Sequence, residues 1–121
     1  VYDPQADSWQ RVASMPRGKC YHAAAAMGGK IYVTGGFAQG CSEESVYVYD
    51  PQADAWTQLA RMGLARHNHA SAAVGGKLYV FGGVGGGKKL GTVEVYDPAS
   101  NSWAQGPSST SPRSSLVAVT L

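Results

Sequence analysis

The sequence predicts an all-β fold made of repeated four-stranded antiparallel units, and three observations lead there. The segment from Val1 to Trp9 (VYDPQADSW) returns from Val48 to Trp56 and again, altered, from Val95 to Trp103, at a step of 47 residues each time. A second landmark keeps the same step: Gly28 to Gly36 (GGKIYVTGG) matches Gly75 to Gly83 (GGKLYVFGG) without a gap. Finally, no stretch carries apolar residues at sustained helical spacing. The one alanine run, Ala23 to Ala26, is short and leads into glycines. A unit copied head to tail at this period belongs to a repeat architecture.

Within one period, residues 20–66, four stretches read as strands. Strand A covers residues 21–27 and strand B residues 30–34. The Gly28-Gly29 pair between them supplies the positive φ of a two-residue hairpin turn, so A and B pair antiparallel. Strand C, residues 45–50, alternates Val46 and Val48 with Tyr47 and Tyr49, the period of a pleated surface. Asp50-Pro51 then starts a turn, because proline fixes φ and has no donor to give a ladder. Strand D, residues 55–59, carries Trp56.

Four-stranded units of this length point to a β-propeller, whose radial repetition leaves only short edges. The small residues of strand A, repeated as Ala70-Ser71-Ala72-Ala73, suit the crowded axis where blades converge. Tyr49, Trp56, Tyr96 and Trp103 suit the outer region, where wedges diverge and volume must be filled. The same residues resemble a known family. Paired glycines after an Ile/Leu-Tyr-Val strand, a Val-Tyr-Asp-Pro segment a dozen residues on, and a tryptophan seven residues after that tyrosine are similar to the Kelch repeat. The resemblance covers the whole chain and implies a partial Kelch-type β-propeller. Residues 1–19 are then the end of one blade (strands C and D), 20–66 and 67–113 two complete repeats, and 114–121 the first strand of a further blade.

About two and a half periods are too few to close a ring that typically holds about 4–8 blades. The chain is therefore expected to need the remaining propeller blades as partners. The alternative is assembly of two copies, with hybrid blades that each lack a strand B. Sixteen glycines and a 15% charged fraction fit turn-dense β structure rather than disorder. A net charge of +2 gives no reason to expect nucleic acid, and no long apolar run suggests a membrane span. Two cysteines are too few for a disulfide scaffold and suggest a reducing, cytoplasmic setting.

Antiparallel strands put the D-to-A and B-to-C connections at one end of the propeller. That end collects Arg17, Lys19, Arg61, Arg66, Lys88, Lys89 and Arg113 against Glu43 and Glu44. The opposite end collects Lys30 and Lys77 against five aspartates, Asp3, Asp7, Asp50, Asp54 and Asp97. A basic, loop-lined end favours an acidic protein or peptide ligand. The competing reading is that Arg17, Arg66 and Arg113, which recur near the start of strand A, hold their own loops.

Signals for chemistry are thin. Gly85-Gly86-Gly87-Lys88-Lys89 lacks the spacing and the following helix of a phosphate loop and reads as a flexible connection. Cys20, His22, His67 and His69, with Cys41, could be drawn as a metal ring, but equivalent positions on adjacent sheets lie about 10 Å apart. His22 and His69 read instead as hydrogen-bonding residues of strand A. No cofactor, metal or catalytic residue is expected, and the chain is not expected to be an enzyme. By analogy with Kelch peptide receptors, the ligand-facing positions are Cys20, Tyr21, His67, Asn68, Ser114 and Ser115, with Phe37 and Val84 after the glycine pairs. Lys19, Gln39, Arg66, Lys88 and Lys89 complete the expected ligand-binding set. Cys20, His67 and Val84 depart from the arginine, serine or tyrosine found there in several relatives. The expected function is a non-catalytic interaction module, in some relatives the substrate receptor of a ubiquitin ligase. The alternatives are a carbohydrate-active or oxidative enzyme whose site lies on other blades, and an actin scaffold.

Overall fold

The computed structural model describes residues 2–9, 22–38 and 40–106. Among them every regular element is a strand. Two four-stranded antiparallel sheets dominate. The first holds β3 (Ala23–Met27), β4 (Lys30–Thr34), β7 (Val46–Asp50) and β8 (Ala55–Gln58), in the order β3-β4-β7-β8. The second holds β9 (Ala70–Val74), β10 (Lys77–Phe81), β13 (Val93–Asp97) and β14 (Ser102–Gly106), in the order β9-β10-β13-β14. A further short ladder joins β1 (Tyr2–Asp3) to β2 (Ser8–Trp9). These are the predicted strands A to D, except that A begins at Ala23, past His22, and boundaries move by one residue at the start of C and the end of D; Tyr21 lies outside the described residues.

The B-to-C connections correct the expectation of plain loops. Each folds back as a small hairpin: β5 (Phe37–Ala38) pairs β6 (Cys41–Ser42), and β11 (Val84–Gly85) pairs β12 (Lys88–Lys89). Gly86 and Gly87, the expected flexible stretch, form the turn of the second hairpin at φ 59° and 76°.

At the opposite end the Val-Tyr-Asp-Pro segments make the C-to-D turns. Asp50 and Asp97 carboxylates accept the backbone N–H of Gln52 and Ala99 at 3.0 Å, closing an Asx turn around the proline. Asp54 and Asn101 then adopt positive φ, 49° and 48°. Each accepts the hydroxyl of the tyrosine five residues earlier, Tyr49 and Tyr96. The repeated sequence is thus a self-bonded turn, and it explains why an aspartate or asparagine follows each proline by three residues.

The sheets meet face to face, closest through their inner strands β3 and β9, as the small residues there require. Ala25, Tyr32 and Val48 of the first sheet bury against Leu78 and Tyr96 of the second, and Val46 and Met62 against Val80. The rings of Tyr32 and Tyr96 pack at a tilt of 52°, 6.3 Å between centroids. Trp103 closes the outer side of this core, its indole N–H donating to the Ala60 carbonyl of the first unit at 2.8 Å. Its counterpart Trp56 lies on the other face, 5.1 Å from Tyr49. Burying side chains such as Leu78 and Val80 contributes roughly 1.5–3 kcal/mol each, so the interface between sheets is itself a core.

Candidate functional site: the loop end

The connector from β8 to β9 runs across the junction between the two sheets and is bonded to both hairpins. Arg66 N–H donates to the Glu43 carbonyl at 2.9 Å, and its own carbonyl accepts the Gly36 N–H at 2.8 Å. His67 exchanges both backbone bonds with Val84, at 2.9 and 2.8 Å. These contacts place the D-to-A and B-to-C connections at one end, as antiparallel order requires.

The glycines after β4 and β10 make this crossing possible. A Cβ on Gly35 would stand 2.4 Å from the Arg66 carbonyl oxygen and 2.7 Å from His69 Cε1. On Gly83 it would stand 2.6 Å from the His67 carbonyl oxygen. What crowds these glycines is the connector backbone and one imidazole.

Arg66 corrects its predicted role. It is fully buried, and its guanidinium points into the second sheet instead of toward solvent. It donates to the carbonyls of Gly82 and Thr92, to Thr92 Oγ1, and to the Glu94 carboxylate at 2.8 Å. Burial lowers the Arg66 pKa, and the adjacent Glu94 opposes that effect. Glu94 also accepts the backbone N–H of Gly63 at 2.6 Å and of Leu64 at 3.2 Å. A ligand therefore has no access to this arginine, and the loop-holding reading describes it. Arg61 is exposed and paired with Glu44 at 3.2 Å. Of the basic residues expected at this end, Lys88 and Lys89 are exposed, on β12.

The other predicted positions divide in two. Lys19, Cys20, Tyr21, Gln39, Ser114 and Ser115, with Arg17 and Arg113, lie outside the described residues. Phe37, His67, Asn68 and Val84 come together. Phe37, half-buried, meets the His67 ring of the neighbouring connector edge-on at 5.0 Å. Ser42 Oγ lies 2.8 Å from His67 Nδ1. Asn68 follows with φ 53°, half-exposed, in a conformation asparagine tolerates better than most residues. The result is a half-exposed aromatic and polar rim on a backbone fixed from both sides.

His69 sits deeper. Its Nε2 is 2.8 Å from Thr34 Oγ1 of the first sheet, both residues buried. Burial, and then the Arg66 guanidinium, push its pKa down to about 3, so the ring is neutral. His67 and His69 thus serve different surfaces, and no group of three or more metal-ligating side chains forms among the described residues. Cys41 is a free, exposed thiol.

Sequence reasoning missed two features. One is Glu94, buried against Arg66. Its alternation with Tyr96 on β13 was the available signal, because it puts a carboxylate on a buried face. The other is a cavity of about 650 Å³ at the outer edge of the junction, lined by Arg61, Leu64, Glu94 and Trp103 among others. No helix among the described residues is long and apolar enough to cross a membrane.

The Kelch motif model matches residues 18–63 and 65–110. No curated protein matches the chain. Kelch motifs mark propeller modules that serve in protein interaction. With two motifs spanning most of its length, and with their four-stranded blades present, this chain belongs to the Kelch family.

Proposed function

We propose that the chain is a non-catalytic interaction module whose loop end binds a protein or peptide segment, with acidic residues of the partner meeting Lys88 and Lys89. The observation that carries the reading is the Phe37–His67 pair. It is a half-exposed aromatic edge held on backbone bonded to two sheets, which offers apolar contact area at small entropic cost. Asn68 and Ser42 add polar groups beside it. Lys19, Cys20, Tyr21, Gln39, Ser114 and Ser115 belong to the same proposed rim by their place in the repeat. The family resemblance suggests a more specific form, a cytoplasmic substrate receptor of a ubiquitin ligase.

Selection of peptides from a random library on the 121-residue chain, followed by anisotropy titration, tests the reading. Peptides enriched in an apolar anchor beside aspartate or glutamate are expected. Reversing Lys19, Lys88 and Lys89 to glutamate should weaken them about two- to tenfold per effective charge, and less at high salt. Unchanged affinity would remove the acidic component, and peptides indifferent to Phe37→Ala would remove the rim. Recovery of a cullin-based ligase with the chain from cell extract checks the receptor form.

A further inference from the structure

The junction between the sheets holds a buried imidazole that lies deeper than the rim. His69 is buried at the start of β9, with Nε2 on Thr34 Oγ1 of the opposite sheet. Its ring fills the space that a Cβ on Gly35 would need. Its Nδ1 is buried with no hydrogen-bond partner among the described residues. From the connector the ring faces Arg66, a permanent cation, and His67; from the segment before β3 it faces His22. The nearby carboxylate, Glu94 of β13, is taken up by Arg66 and by the N–H groups of Gly63 and Leu64.

We propose that the His69–Thr34 contact is an acid-sensitive latch between the two sheets, closed while the imidazole is neutral and opened when Nδ1 takes a proton from solvent. The imidazolium needs an acceptor at Nδ1 and finds a guanidinium nearby instead. Opening gives it water. The segments that part are Gly35–Gly36 and Arg66, while the ladders within each sheet stay paired, including the His67–Val84 pair that continues β9 and β10.

The sign follows from the closed ring's pKa of about 3 against an ordinary 6.5. The open form binds the proton more tightly, so the closed form is favoured fully above pH 6.5 and loses ground as pH falls toward 3. Between pH 7.5 and pH 5 the opening equilibrium should rise about 30-fold.

Amide hydrogen exchange of the 121-residue chain, corrected for intrinsic rates, reads this directly. The amides of Gly36 and Arg66 should exchange about 30-fold faster at pH 5 than at pH 7.5, while those of Tyr32, Tyr79, His67 and Val84 change far less. In His69→Gln, whose amide can still reach Thr34, the acceleration should vanish; in His67→Gln and His22→Gln it should persist. Should His69→Gln not fold, the ring signals of the unmodified chain decide: His69 should stay neutral in the closed form to below pH 4. Titration of that ring near pH 6.5 with unchanged exchange would overturn the latch. So would equal acceleration at all amides.

Discussion

Arg66 of the connector and Glu94 of β13 form an ion pair at 2.8 Å across the junction, their side chains 0% and 9% exposed. Two charges at this depth are costly to leave single. Arg66→Met or Glu94→Gln should each destabilise the chain by about 3–5 kcal/mol, because the partner remains buried and uncompensated. Urea unfolding checks this. Replacing both together by apolar residues should cost clearly less than the two single losses combined.

Gly35 is a second sensitive point. At φ +58°, with the Arg66 carbonyl against its open side, Gly35→Ala must both strain its backbone and push the connector away. A loss of roughly 2–3 kcal/mol is expected, beyond the ~1 kcal/mol of a propensity change. Gly40→Ala, also at positive φ but with nothing near its Cβ, separates the two contributions and should cost less in the same unfolding assay.

Alkaline titration reports on the C-to-D turns. The hydrogen bond to Asp54, and then burial, raise the Tyr49 pKa to about 12. Since the folded value lies above the unfolded 10, this tyrosine's contribution is complete below pH 10 and is lost as pH rises from 10 to 12. Tyrosinate absorbance should show a late-ionising component that Asp54→Ala moves toward 10. Tyr96, raised first by burial, should also titrate late.

Phe37 separates binding from stability. It is half-buried against His67, so Phe37→Ala should lower the melting temperature by only a few degrees while weakening a selected peptide about tenfold or more. A large drop in melting with unchanged affinity would reassign the residue to packing.

How much of this was legible varied with how strongly the repeat constrains each residue. Strand B emerged with correct limits because glycine pairs bracket it and both copies agree. The hairpin of Phe37 to Ser42 left no such mark, since two-residue strands are too short to show alternation and their bonds depend on the connector passing beside them. The arginine at the 47-residue step was visible and its burial was not. Its partner Glu94 is matched in the first unit by Tyr47, so the ion pair does not repeat, and a reading built on repetition passes over it. Within the rim, the aromatic at Phe37 could be picked out by type, whereas the Ser42–His67 bond joins residues from different periods and needed coordinates.

The two hairpins have tips with open space around them: Gly40 in one, Gly86 and Gly87 in the other. Residues can be inserted or exchanged there without disturbing the Arg66, His67 and Gly36 backbone contacts below. New specificities can thus be grafted onto the tips with little cost to folding, whereas a length change in the connector would break contact with both neighbours at once.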